Sequence, residues 1–78
     1  LAEDQLAAKL YSTKSCHLCE AAERVLIGGR VAVTKIDIVS DVALLKKYGL
    51  RIPVLQRIDN GAELDWPFDA EAVADFLK

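Results

Sequence analysis

The apolar positions fall into short runs whose spacing switches between strand-like and helix-like. Leu6-Ala7-Ala8-Lys9-Leu10-Tyr11-Ser12 is mostly apolar and followed by Ser and Thr, which predicts a buried central strand over 6–12, although its alanines also suit a helix. Leu1 to Gln5 reads as a polar, frayed lead-in. From Cys16 the apolar positions Leu18, Ala22, Val25 and Leu26 recur at helical spacing, after a stretch, Ser12-Thr13-Lys14-Ser15, rich in capping residues. Glu20 and Glu23 suit the first turns of this helix, and Gly28-Gly29 is expected to end it in the left-handed conformation. Val31 to Val39 is β-branched, with Thr34, Ile36 and Ile38 alternating against Lys35 and Asp37, so it predicts a second strand. A helix between two strands implies a parallel pair with a right-handed crossover.

Ser40 is then the expected cap of a short second helix, with Leu44, Leu45 and Tyr48 facing inward, Lys46 and Lys47 at its C-terminal end and Gly49 stopping it. Residues 53–58 and 62–66 flank Asp59-Asn60-Gly61, a strong hairpin signal that predicts antiparallel strands three and four. Asp69 suits the N-cap of a last helix, with Phe68 stapled to Val73 and a buried face of Val73, Phe76 and Leu77. The order is βαβαββα: an α/β protein with a four-stranded mixed sheet flanked by three helices. A chain of 78 residues is expected to form one domain over 1–78, since so short a chain buries only about 60% of the surface its unfolded form exposes.

Composition narrows the function classes. A hydrophobic content of 53% argues against disorder. The net charge of −2, with basic residues scattered from Lys9 to Lys78 and no aromatic interleaving, argues against nucleic-acid binding. No apolar run approaches the roughly 20 residues that cross a bilayer, so no membrane association is expected, and Leu1-Ala2-Glu3-Asp4 lacks the basic start of a signal peptide. Without any Met, residue 1 does not read as the translated start, and a preceding segment is left open. Two cysteines are too few for a disulfide framework, and neighbours this close cannot pin distant parts of a fold together. A cytoplasmic, reducing setting is the expectation.

Those two cysteines carry the candidate chemistry. In Ser15-Cys16-His17-Leu18-Cys19-Glu20 they stand where the first strand gives way to the first helix. Unpaired N–H groups and the helix dipole favour a thiolate at Cys16, with Cys19 one turn on as its partner. The expected reaction is dithiol exchange, Cys16 attacking a substrate disulfide and Cys19 resolving the mixed disulfide. The plain alternative is a pair of buried cysteines acting as small hydrophobes. Lys14 is a modulating candidate for the thiolate, and so is His17, which equally suits a solvated first-turn position. No metal site is expected within one chain, because structural zinc needs four ligands and the single His points to another face of the turn. Asp37 suits an outward, solvated position better than that of a buried acid. Among the aromatics, Phe68 reads as core, while Tyr11 and Trp66 suit either core or a binding groove.

Taken together, CHLC at the start of helix one, Ile52-Pro53 opening strand three and the βαβαββα order resemble the thioredoxin superfamily, and within it the glutaredoxin-like small proteins. The resemblance runs from Leu6 to Lys78 and is close in Tyr48-Gly49-Leu50-Arg51-Ile52-Pro53-Val54-Leu55. It implies the thioredoxin fold, a cis-proline at Pro53 beside the active cysteines, and a thiol–disulfide oxidoreductase with Cys16 and Cys19 catalytic. It also implies that Ile52 offers its main chain to an extended substrate, so that Ile52 and Pro53, with Trp66 and Asp69, form the substrate-binding set. His17 and Leu18 stand where glutaredoxins typically have Pro-Tyr and thioredoxins Gly-Pro. Trp66-Pro67-Phe68-Asp69 replaces the glycine pair and acidic residues that bind glutathione, and only Asp69 matches. No tightly bound cofactor is expected, and the electron donor is left open between glutathione as reductant and a thioredoxin reductase. The expected partner of this monomer is a disulfide-containing protein or a glutathione mixed disulfide. The runner-up is a non-catalytic module of the same fold that binds a protein, a metal or an iron–sulfur centre through the same groove.

Overall fold

Alternation along β1 (Leu6–Ser12) sets the layering of the molecule. In the computed structural model, which describes residues 6–78, Ala8 and Leu10 enter one core cluster and Tyr11 the other, and all three are buried. The lead-in expected over Leu1 to Gln5 lies outside the described residues. After β1 come α1 (His17–Gly28), β2 (Ala32–Asp37), α2 (Val42–Tyr48), β3 (Val54–Arg57), β4 (Glu63–Asp65) and α3 (Ala70–Phe76). The sheet order is β2-β1-β3-β4, with β2 parallel to β1 and the other neighbours antiparallel. This is the mixed sheet and βαβαββα order of the thioredoxin fold.

On one face α1 and α3 cover Ala8, Leu10, Leu55, Phe68 and Val73, joined by Ala22 and Leu26 of α1. On the other, α2 contributes Tyr48 against Tyr11, Ile38 and Val54. Each fully buried Leu, Val or Phe is worth about 1.5–3 kcal/mol relative to exposure, so these two clusters supply the main drive to fold. Asn60-Gly61 turns the hairpin as expected: Gly61 has φ 74, and the Asn60 side chain accepts the Ala62 N–H at 2.9 Å. Asp69 caps α3, accepting the Ala72 N–H at 2.8 Å. Arg57 closes the other end of α3, donating to the carbonyls of Phe76 at 2.8 Å and Lys78 at 2.9 Å.

Several local expectations are corrected. Helix α2 is capped by Asp41, which accepts from the N–H groups of Ala43 and Leu44, while Ser40 lies in a 3-10 turn (Ile38–Ser40) and donates to the Asp37 carbonyl. Gly29 ends α1 at φ −86, and the left-handed residue is Arg30 at φ 58. Val31 N–H then reaches the Leu26 carbonyl and Arg30 N–H that of Ile27, closing the helix in a Schellman arrangement without glycine in the strained position. The buried stripe of α1 is Cys19, Ala22 and Leu26, which leaves Leu18 53% exposed; likewise Leu45, beside the Leu44–Tyr48 stripe, is 46% exposed.

A polar network ties α2 to the hairpin. The Tyr48 ring stacks on Tyr11 with centroids 4.2 Å apart, and its hydroxyl donates to Glu63 at 2.6 Å. Arg51 donates to Glu63 and Asp65, each at 2.8 Å. Burial, reinforced by the Glu63 carboxylate, pushes the Tyr48 phenol well above its ordinary range. The Tyr48 hydroxyl, aided by Arg51 and opposed by burial, holds the Glu63 carboxyl below the usual carboxylate range.

Two tests follow from this packing. Leu26→Ala should cost about 2–5 kcal/mol in urea unfolding, while Leu45→Ala should stay within about 0.5 kcal/mol of wild type. Glu63 ionises at lower pH when folded than when unfolded, so its contribution is complete above its unfolded pKa of about 4.3 and is lost as pH falls through the folded value. Glu63→Gln should therefore destabilise by about 1–2 kcal/mol at neutral pH, allowing for partial exposure, and the gap from wild type should shrink in acid. A gap that ignores pH would contradict the network.

Candidate redox-active site

The site is built where β1 runs out. Ser12, still buried, is followed by a turn in which Ser15 takes φ 58, a left-handed conformation uncommon for a residue with a Cβ. That turn delivers Cys16 in extended backbone (φ −109, ψ 106) to the N-cap of α1. Its sulfur accepts the Cys19 N–H at 3.1 Å, the task a Ser or Asp oxygen performs at most helix starts. The capping residues upstream are therefore turn formers, and the cap is the cysteine itself.

The two sulfurs lie at disulfide-bonding distance, with Cα atoms 5.2 Å apart. Their surroundings differ: Cys16 is half-buried and reachable, whereas Cys19 is 1% exposed. An N–H already aimed at the Cys16 sulfur stabilises a thiolate more than a thiol, because hydrogen bonds to a charged acceptor are roughly twice as strong. The geometry thus separates an outer sulfur suited to attack from an inner one suited to closing the ring.

A cleft of about 370 Å³ opens beside the cysteines, between the turn, α1 and β2. Its walls carry Lys14, Glu20, Glu23, Lys35 and Asp37 together with both cysteines. Lys35 pairs with Glu23 at 3.0 Å. Sequence reasoning singled out Lys14 and missed the roles of Glu23 and Lys35. Glu23 lies four residues after Cys19, a spacing that could have flagged it. Lys35 reaches the cleft only through the parallel register that sets it opposite Leu10, which no local pattern reveals.

The other candidates are placed by the sheet. Register pairs Ser12 with Asp37, Tyr11 with Val54, and Val54 with Asp65. Pro53, Trp66 and the turn carrying Cys16 therefore lie at the same end of the sheet. Ile52, Pro53, Trp66 and Asp69 do not line the cleft, which lies on the β1–β2 side. The Ile52–Pro53 bond is cis and Pro53 is buried. The Ile52 N–H donates to the Tyr48 carbonyl at 3.1 Å, so it is not free for an extended substrate as expected; an internal turn already uses it. Trp66 is half-buried, edge-on to Phe68 at 5.0 Å between centroids, and Asp69 is engaged as a cap. Tyr11 and Phe68 are core. His17 is exposed and does not line the cleft. Asp37 is exposed, its carboxylate accepting the Val39 N–H. Among the described residues no group of three or more His, Cys, Asp or Glu side chains is arranged to hold a metal ion, and no helix is long and apolar enough to cross a membrane.

Fold and motif together define a thioredoxin-fold protein with a paired-cysteine redox centre. The sequence matches the glutaredoxin-like domain family (DUF836) over residues 8–78, and the chain belongs to that family. Among solved structures, it is similar to the crystal structure of Northeast Structural Genomics target protein XcR50 from X. campestris, at 44% identity and a TM-score of 0.84, covering 91% of this chain and 95% of that one. The solution structure of the same target gives 44% identity and a TM-score of 0.82, covering 92% of each chain. Protein Ne2328 from Nitrosomonas europaea is 29% identical with a TM-score of 0.67, covering 92% of this chain and 93% of that one. No curated protein matches.

The contrast between the sulfurs is testable by alkylation of the reduced protein. At neutral pH, iodoacetamide should label Cys16 at least about tenfold faster than Cys19, with mass spectrometry of the digested protein assigning the sites. Equal labelling of the native protein would remove the distinction.

Proposed function

We propose that the protein is a dithiol oxidoreductase that reduces disulfides by exchange. The observation that supports this most is the reachable Cys16 sulfur held by the Cys19 N–H at the head of α1, with the second cysteine buried one turn behind it. The Cys16 thiolate attacks one sulfur of a substrate disulfide, forms a mixed disulfide and expels a thiolate. Cys19 then attacks Cys16, releases the second substrate thiol and leaves the Cys16–Cys19 disulfide. The substrate disulfide gains two electrons and the protein dithiol loses two.

In this reading the substrate is a disulfide-containing protein or a glutathione mixed disulfide, approaching along the Ile52–Pro53 side of the motif. Pro53 supplies a buried, shape-defining wall, Trp66 follows the neighbouring strand at the same end of the sheet, and strand-like pairing falls to the Ile52 carbonyl, since its N–H is occupied. Lys14, on the cleft wall, adds positive potential near the thiolate. The monomer works in a reducing cytoplasm and is returned to the dithiol by glutathione or by a thioredoxin reductase, neither of which is retained as a cofactor.

Turnover of a small disulfide, coupled first to glutathione with its reductase and separately to thioredoxin reductase, tests the reading. Cys16→Ser should abolish turnover with every disulfide. Cys19→Ser should stall on protein disulfides, accumulating a mixed disulfide visible by mass, while retaining exchange with glutathione adducts. Absence of turnover in the wild type with either reducing system would favour a binding module instead.

A further inference from the structure

Residues 49–53 join α2 to β3 and carry Ile52 and Pro53, the wall along which a substrate is proposed to lie. Their main-chain bonds run back to α2: the Leu45 carbonyl accepts the Gly49 N–H at 2.9 Å, and the Tyr48 carbonyl accepts those of Arg51 at 2.8 Å and Ile52 at 3.1 Å. Pro53 has no N–H to add. The tie in the other direction comes from the Arg51 side chain. One guanidinium nitrogen donates to Glu63 and to Asp65 of β4, each at 2.8 Å. The other Glu63 oxygen accepts the Tyr48 hydroxyl at 2.6 Å, and the guanidinium lies over the Tyr48 ring, 5.4 Å from its centroid.

This bridge spans the strands on both sides of the wall. Val54, the residue after Pro53, sits in the sheet between Tyr11 of β1 and Asp65 of β4. Tyr48 stacks on Tyr11 with centroids 4.2 Å apart, and Tyr11 precedes Ser12, where the turn to Cys16 begins. A lone exposed ion pair contributes little, but here one guanidinium serves two carboxylates and an aromatic face, and the Glu63 side chain is only 20% exposed. Arg51 does not line the cleft beside the cysteines, so its influence on exchange runs through the residues that follow it.

We propose that Arg51 is a positioning residue for substrate: its bridge to Glu63 and Asp65, backed by Tyr48, fixes the Ile52 carbonyl and Pro53 relative to Cys16, so that an extended polypeptide is held with its disulfide at the sulfur. The proposal rests on the oxidoreductase reading and deepens it, making polypeptide backbone the feature recognised beside the reacting bond. Displacing such a wall by about 1 Å weakens pairing with the backbone while leaving the chemistry of Cys16 as it was.

Two probes with one leaving group test this: a short unstructured peptide whose single cysteine carries thionitrobenzoate, and free cysteine carrying the same group. Stopped-flow release of thionitrobenzoate from varied probe by the reduced protein gives a half-saturation concentration and a limiting rate. Arg51→Met should raise the half-saturation concentration for the peptide about tenfold, keeping its limiting rate, the rate with the cysteine probe and the alkylation rate of Cys16 within about twofold of wild type. Arg51→Lys, which keeps the charge and loses the planar fork, should raise it less, about threefold. Thermal melts set a temperature at which every variant is folded, and Asp65→Asn, at an exposed position, gives a second reading should Arg51→Met misfold; it too should weaken the peptide alone. A variant that melts lower yet binds the peptide as wild type does overturns the proposal, since Arg51 is then only structural. Equal losses with both probes overturn it as well, and so does a wild type that treats the two probes alike. A wild type that prefers the peptide but never turns over with either reducing system sinks the oxidoreductase reading instead, while the half-saturation values still report the wall.

Discussion

The site depends on one hydrogen bond, from the Cys19 N–H to the Cys16 sulfur, because it makes one of the paired cysteines serve as a structural cap. Helix N-termini leave backbone donors without partners, and those donors must be satisfied. Using a sulfur for this purpose ties the stability of the first turn to the charge on that sulfur: the more thiolate character Cys16 has, the better it caps. The His17-Leu18 pair between the cysteines contributes little to that bond, since both side chains face solvent.

The rest of the fold serves to hold that turn still and surround it asymmetrically. Burial of Ala8 and Leu10 on one face and Tyr11 on the other fixes β1, and Ser12 and the turn after it project from the end of a strand that cannot slide. Register then places β2 and the Glu23–Lys35 pair on one side of the cysteines, and Pro53 with Trp66 on the other. The first side is a cleft lined by charged residues.

How much of this was legible in the sequence follows from how local each determinant is. The bounds of β1, the turn at Asn60-Gly61 and the Asp69 cap depend on a few adjacent residues, and each was readable. The Ser40–Asp41 choice of cap was not, because both residue types cap equally well and only the 3-10 turn before α2 selects Asp41. Arg30 in place of a glycine in the left-handed position reflects the hold of Val31 on the Leu26 carbonyl, a cost that local preference cannot anticipate. Leu18 and Leu45 fit the helical period and still face outward, since short helices bury a stripe narrower than the apolar pattern allows. At the site, the cysteines and Pro53 announced themselves through motif and order. The cleft did not, because Lys35 meets Glu23 only through parallel pairing across the crossover, and the use of the Ile52 N–H by the Tyr48 carbonyl is equally invisible along the chain.

The proposed exchange requires the Cys16 sulfur, bonded to a backbone donor, to be anionic near neutral pH. The most direct measurement is the amide proton shift of Cys19 in the reduced protein, followed by NMR through a pH titration. The account predicts a large shift of that proton, with a midpoint clearly below the ordinary thiol value of about 8.5 and absent in Cys16→Ser. A Cys19 amide that ignores pH, or that titrates only at about 8.5 or above, would contradict it.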